Sequence, residues 1–207
     1  MKYSPYNETI REEIYRDYEY ISGIDEVGRG PLAGPVVTCA VIMKKDSKIE
    51  GVTDSKKLSR KKMLGLYDKI IEDSLAYSFG YANNIKIDQI NIKNATKLAM
   101  KKAVESLSIR PDILLIDAER IDTDIKQLNI VKGDLYEYQI SCASILAKVR
   151  RDNIMIKFSE IYPYYSFQTN MGYGTKKHYQ GLEKYGPCPI HRKTFLKKFY
   201  QRQMTFL

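Results

Sequence analysis

Two adjacent carboxylates, Asp25 and Glu26, stand where a strand-like run gives way to Val-Gly-Arg-Gly-Pro-Leu-Ala-Gly-Pro. The glycines and prolines that flank the acids require a sharp turn of the backbone. Acids at a strand end can hold a hard cation through oxygen, and a Gly28-Arg29-Gly30 turn lets backbone N–H groups and Arg29 approach a phosphate. By itself an Asp-Glu pair describes a solvated loop entry equally well. A second apolar run, Asp112 to Asp117, also ends in an acid, and Asp134 follows another short one. If the strands ending at Asp25 and Asp117 are neighbours, both carboxylates emerge at one end of a sheet, where α/β proteins place their sites. Clustered acids repel unless cations lie between them. Oxygen ligands select Mg²⁺ or Mn²⁺, and no Cys/His cluster offers a zinc site. Strand alternation sends Asp25 and Glu26 to opposite faces. Glu26 therefore joins Asp25 only if the strand breaks there or its longer side chain bends back.

A long helix, Tyr136 to Phe158, carries Ser141, Ser144, Lys148 and Asp152 at helical spacing, which places them on one face. The rest of that helix is small and apolar, so it packs, and the polar stripe faces a site rather than bulk water. The remaining elements must position these groups. Ser4-Pro5 reads as the cap and first turn of a helix reaching about Asp17. Tyr20 to Asp25 and Pro35 to Met43 read as an antiparallel hairpin. A helix from about Ser59, its N-cap, to Asp73 precedes a strand from Leu75 to Tyr81. Asp88 to Leu107 carries a helical stripe of Ile90, Ala95, Leu98, Ala99, Ala103 and Leu107. Helices over Thr175 to Lys184 and Lys193 to Gln201 follow the Gly172-Tyr-Gly turn. This alternation predicts an α/β domain with a mixed sheet.

Six blocks in one order carry a resemblance. They are Gly23-Ile-Asp-Glu-Val-Gly-Arg-Gly-Pro-Leu-Ala-Gly-Pro-Val36, Asp54-Ser-Lys-Lys-Leu-Ser59, Leu114-Leu-Ile-Asp117, Lys132-Gly-Asp134, Ser144-Ile-Leu-Ala-Lys-Val-Arg-Arg-Asp152, and Gly172-Tyr-Gly-Thr175 with His178. Together they resemble bacterial ribonuclease HII, a type 2 ribonuclease H, over most of the chain. The resemblance implies a ribonuclease H-like fold: a mixed central sheet flanked by helices, with a helical C-terminal portion. It implies one catalytic domain over 1–207, with a helical extension over about 1–19 and the C-terminal helices over about 160–207. The family's metal-binding acids fall on Asp25, Glu26, Asp117 and Asp134. Asp152 competes with Asp134 for the fourth place and reads as a structural partner within its helix. The backbone of Gly28, Arg29 and Gly30 is implied to sense the 2′-hydroxyl, the group that separates RNA from DNA. Tyr173 is implied to pack on the adjoining deoxyribose. Lys56, Ser144 and Lys148 are implied to line the substrate, the two lysines at its phosphates. The implied reaction is two-metal hydrolysis of RNA–DNA hybrids and of the bond 5′ to a ribonucleotide embedded in duplex DNA, leaving 3′-hydroxyl and 5′-phosphate ends. The related ribonuclease HIII carries an additional N-terminal domain, for which the residues before the first strand leave no room.

The chain has 207 residues, 43% of them hydrophobic, enough for a sizeable core. Lys and Arg number 34 against 25 Asp and Glu, a net charge of +9 that suits a polyanionic partner without requiring one. Charge and tyrosines alone would also serve a non-enzymatic nucleic-acid-binding protein, and the acids alone would serve a junction resolvase. Unneutralised carboxylates would repel phosphate, which disfavours binding without a cation. Cys39 and Cys142 lie in apolar runs and read as core residues. No signal peptide or membrane-spanning run is visible, which implies the cytoplasm. Finally, Gln203-Met-Thr-Phe-Leu207 is similar to the Gln-led peptide with which bacterial replication proteins bind the sliding clamp, with the final Leu-Phe pair inverted. Apolar residues folding back onto the preceding helix explain it as simply.

Overall fold

The computed structural model describes residues 6–53 and 55–204, with the side chains of residues 198 and 202–204 outside the description. Its centre is a five-stranded sheet in the order β3-β2-β1-β4-β5. Strand β1 (Ile21–Val27) pairs antiparallel with β2 (Val36–Met43) and parallel with β4 (Ile113–Asp117). Outside them lie β3 (Ser74–Ala82), antiparallel to β2, and β5 (Lys126–Ile130), parallel to β4. The sheet is mixed, as expected. All eight residues of β2 are buried, the mark of a strand covered on both faces.

One cover is α5 (Tyr138–Ile161), which is small and apolar along the face it turns to β1 and β2. Its approach is close: a Cβ on Gly23 would lie 2.1 Å from the Gln139 carbonyl carbon. The other cover is α3 (Asn84–Glu105), whose Met100 and Ala103 join Ile24, Leu114 and Ile116 in one core cluster. This helix begins ahead of the expected Asp88 because Asn83 caps it, and it kinks at Asn91, whose side chain recaps the next turn. Helix α2 (Arg60–Asp73) starts after Ser59, which caps it as expected.

Helix α1 (Glu8–Asp17) is capped by Asn7, one residue before its first turn, while Ser4 and Pro5 lie outside the described residues. It is held by Glu137, which accepts from the hydroxyls of Tyr6 and Tyr15 and pairs with Arg11. The same Glu137 caps α5 through Gln139. The expected strand end at Asp25 is corrected. Strand β1 keeps its register with β2 through Glu26 and Val27. After β5 come α4 (Gly133–Tyr136), the short α6 (Phe167–Asn170) and α7 (Lys176–Tyr185), capped by Thr175. Helix α8 (Lys197–Met204) begins later than Lys193, because Asp88 accepts the backbone N–H groups of both Lys193 and Thr194. Among the described residues no helix is long and apolar enough to cross a membrane.

Candidate active site

The last pair of β1 and β4 is Ile24 with Ile116, so Asp25 and Asp117 follow it as neighbours at the carboxyl end of the two strands. Beyond them β1 runs on past the end of β4 to Val27, and Glu26 lines the same pocket as Asp25 although the strand does not break at Asp25. A cavity of about 270 Å³ opens here, lined by Asp25, Glu26, Asp117, the Gly28–Gly30 turn, Ser55 with Lys56, Ser144 with Lys148, and Tyr173.

Each acid is held and strained in its own way. Asp25 is buried, and desolvation first, then the charges of Glu26 and Asp117, raise its pKa well above the usual carboxylate range. The Ser144 hydroxyl and the Glu26 N–H, 2.7 Å away, pull in the other direction. Glu26 is raised to about 7, chiefly by desolvation, against the pull of Arg29 at 3.4 Å. Among the described residues its Oε2 is buried without a hydrogen-bond partner. Asp117 accepts the Gly133 N–H at 2.8 Å and is nevertheless raised by desolvation, with Asp134 adding to the shift. Asp134 stands at the start of α4, buried, and accepts Lys56 Nζ at 2.9 Å. Asp152, its competitor, instead takes Lys148 Nζ at 2.7 Å one helical turn away. Ser141 faces neither acid side chain and donates to the carbonyls of Asp134 and Glu137.

Further charged groups, which no sequence motif marks, stand behind the acids. Glu119, two residues past Asp117, is buried and binds Arg29 at 3.1 Å, so Arg29 bridges Glu26 and Glu119 rather than extending outward. Its placement depends on Ala118, which takes a positive φ of 52° directly after the strand. Behind the turn lie two fully buried arginines, Arg151 and Arg192. Nothing in their sequence neighbourhood distinguishes them from ordinary exposed arginines. Gly28 has φ +104°, and a Cβ there would lie 2.2 Å from Arg151 Nε. The residue must be glycine for both reasons. Tyr173 is 45% exposed, and a Cβ added to Gly30 would meet its ring edge at 3.5 Å.

Among the described residues no three His, Cys, Asp or Glu side chains converge closely enough to form a ready metal site. Two protein cations occupy the acids instead, Lys56 on Asp134 and Arg29 on Glu26. The donor set nevertheless fits a hard divalent ion: every ligand atom is oxygen, the carboxylates repel one another, and Glu26 offers an unused buried oxygen.

A mixed sheet that brings acids from β1 and β4 to one end, under a long polar-striped helix, defines a ribonuclease H-like enzyme. The family model described as ribonuclease HII matches residues 22–201. The chain is 57% identical to ribonuclease HII of Clostridioides difficile (strain 630) over 183 residues, 88% of this chain and 72% of that one. It is 50% identical to ribonuclease HII of Caldicellulosiruptor saccharolyticus over 190 residues, covering 91% and 93% of the two chains. The crystal structure of ribonuclease H2 from Pyrococcus horikoshii OT3 superposes with a TM-score of 0.74 at 26% identity, covering 88% of this chain and 97% of that one. The chain belongs to the ribonuclease HII family. It is an endoribonuclease that acts on RNA–DNA hybrids.

Proposed function

We propose that the pocket hydrolyses the phosphodiester on the 5′ side of a ribonucleotide, including a single one embedded in duplex DNA, and leaves 3′-hydroxyl and 5′-phosphate ends. Mg²⁺ or Mn²⁺ held by Asp25, Glu26, Asp117 and Asp134 completes the site. The observation that carries this reading is the buried, unpartnered Oε2 of Glu26 beside two mutually repelling carboxylates. Such an arrangement is costly unless a cation joins it. Bound there, a divalent cation supplies Lewis-acid stabilisation of phosphoryl charge and lowers the pKa of a water.

The chain's own residues do the remaining work. Ser144 orients the Asp25 carboxylate, and the Gly133 N–H orients that of Asp117. Lys56, resting largely exposed on Asp134, can swing to a phosphate with little loss, because an exposed ion pair is worth little, and Lys148, held on Asp152, lines the same cavity. The Gly28-Arg29-Gly30 backbone reads the 2′-hydroxyl, and the exposed Tyr173 ring packs on the neighbouring deoxyribose. Cleavage of a duplex carrying one ribonucleotide, with and without Mg²⁺, tests the reading. Expected are a single cut 5′ to the ribonucleotide in Mg²⁺, none in chelator, and none on all-DNA duplex. Cutting of the all-DNA duplex or metal-independent cutting would overturn it.

The Gln203–Leu207 peptide is proposed to dock on the sliding clamp, Gln203 at a groove rim and the apolar residues within it. Helix α8 runs through Met204, and residues 205–207 lie outside the described residues. Deleting residues 203–207 is expected to abolish clamp binding while leaving melting temperature and short-duplex activity unchanged. A lower melting temperature, with no clamp binding by the full chain, would refute it.

A further inference from the structure

The recognition half of the pocket is organised from behind by two consecutive residues, His191 and Arg192, that the proposed chemistry does not use. Arg192 is wholly buried and has no carboxylate at ion-pair distance among the described residues. Its guanidinium is spent on backbone carbonyls instead. Nη2 donates to Gly28 O at 2.6 Å, Nη1 to Arg29 O at 2.9 Å, and Nε to Gly34 O at 3.0 Å. A buried charge is tolerated when its donors are matched in this way. The described residues contain no cis peptide. In a planar trans peptide the N–H of the next residue points opposite to the carbonyl. Pinning the carbonyls of Gly28 and Arg29 toward Arg192 therefore turns the N–H groups of Arg29 and Gly30 the other way, to the cavity that both residues line. Among the described residues neither N–H donates to any other group.

His191 reaches the other half. The Tyr173 carbonyl can only accept, so His178 donates from Nδ1 and accepts at Nε2, and His191 Nδ1 in turn accepts the Cys188 N–H at 2.9 Å, with the Cys188 Sγ and carbonyl oxygen at 3.1 and 3.2 Å. The His191 proton then sits on Nε2 and is donated to His178 Nε2 at 2.9 Å. His178 keeps its own proton on Nδ1, 2.9 Å from the carbonyl of Tyr173. Both rings are buried against Tyr165 and Phe167. One tautomer of each ring satisfies the chain, and its final acceptor belongs to Tyr173, which lines the same cavity as Gly30.

We propose that His191-Arg192 is the positioning element for ribonucleotide recognition: Arg192 aims the Arg29 and Gly30 N–H groups at the 2′-hydroxyl, and His191, through His178, sets Tyr173 beside them. This rests on the reading that the Gly28–Gly30 turn and Tyr173 contact the sugars. Neither residue touches substrate; both act through others.

The test is binding in Ca²⁺ to two duplexes of one sequence, one all-DNA and one with a single ribonucleotide, with the dissociation constants expressed as a ratio. Arg192→Lys keeps the charge but loses the fork that matches three carbonyls. It is expected to reduce the ratio about tenfold, the loss of one well-aligned hydrogen bond to the hydroxyl, while all-DNA affinity holds. Simple loss of folded protein would weaken both duplexes equally and leave the ratio unchanged. His178→Leu is the second variant, and His178→Asn, which restores a donor near the Nδ1 position, should recover part of the ratio. A wild-type ratio of one would refute the reading of the turn itself. A high wild-type ratio that persists in both Arg192→Lys and His178→Leu would overturn the positioning role alone.

Discussion

Glu26→Gln is expected to abolish Mg²⁺-dependent cleavage and, in chelator at pH 8, to make the protein more stable. Burial carries Glu26 from 4.5 to about 7, and its side chain is only 12% exposed. At about 1.4 kcal/mol per pH unit, ionised Glu26 costs the folded state roughly 3 kcal/mol above pH 7. The sign follows from proton binding. Between pH 4.5 and 7 the folded chain holds a proton that the unfolded chain has released, so the cost is absent below that window and complete above it. An amide carries no charge and so removes the cost, although it also loses part of the Arg29 contact. A net gain of about 1–3 kcal/mol corresponds to roughly 2–10 °C for a chain of this size. Thermal unfolding in chelator at pH 4 and pH 8 measures it: the two proteins should converge at pH 4 and separate at pH 8. Millimolar Mg²⁺ should then raise the melting temperature of the wild type more than that of the variant. A variant no more stable than wild type at pH 8, or a difference unchanged at pH 4, would refute the reasoning.

Asp134→Asn should nearly abolish Mg²⁺-dependent turnover with little change in melting temperature, since its Lys56 partner is largely exposed. Asp152→Asn, which breaks the i,i+4 pair with Lys148, should instead cost about 1 kcal/mol of stability and spare most turnover; the opposite pattern in kinetics and melting would reassign the fourth acid. Tyr173→Ala should damage cleavage at single ribonucleotides more than within long hybrids, and equal kcat/KM losses on both would count against sugar packing by its ring. His191 is lowered by burial, then by His178, from 6.5 to about 4, so stability should fall as pH drops through that window, where the unfolded state binds the extra proton. Denaturant melts of the wild type and of His191→Asn between pH 4 and 6.5 isolate this slope as their difference, because the raised carboxylates Asp25, Glu26 and Asp117 contribute to both.

What could be read from the chain was what periodicity and punctuation encode. The hairpin, the cap at Ser59 and the striped helix bearing Ser144 and Lys148 all appear in place, while Thr175, read as the first residue of its helix, caps it instead. Asp25 and Asp117 meet because both close apolar runs that pair in parallel. Strand β5 was missed because Lys-Gln-Leu-Asn-Ile, at a sheet edge, lacks the apolar density of its neighbours. Glu119, Arg151 and Arg192 were missed for another reason. A buried charge is recognisable only through its partners, and these partners are distant carbonyls or a side chain from another loop. The turn itself was legible as glycine-rich. What orients it was not.

The bond from Arg192 to Gly34 spans 158 positions of sequence. At about 5–20 residues per second of synthesis, Arg192 is made roughly 8–30 s after the turn it anchors. During that interval β1 and β2 can pair and Asp117 can reach Asp25, but the carbonyls of Gly28, Arg29 and Gly34 still face water. The acids of a growing chain are thus assembled before the device proposed to orient the turn toward a sugar. On that proposal, synthesis order makes sugar specificity the last property acquired, and a chain cut short before His191 would have the acids without it.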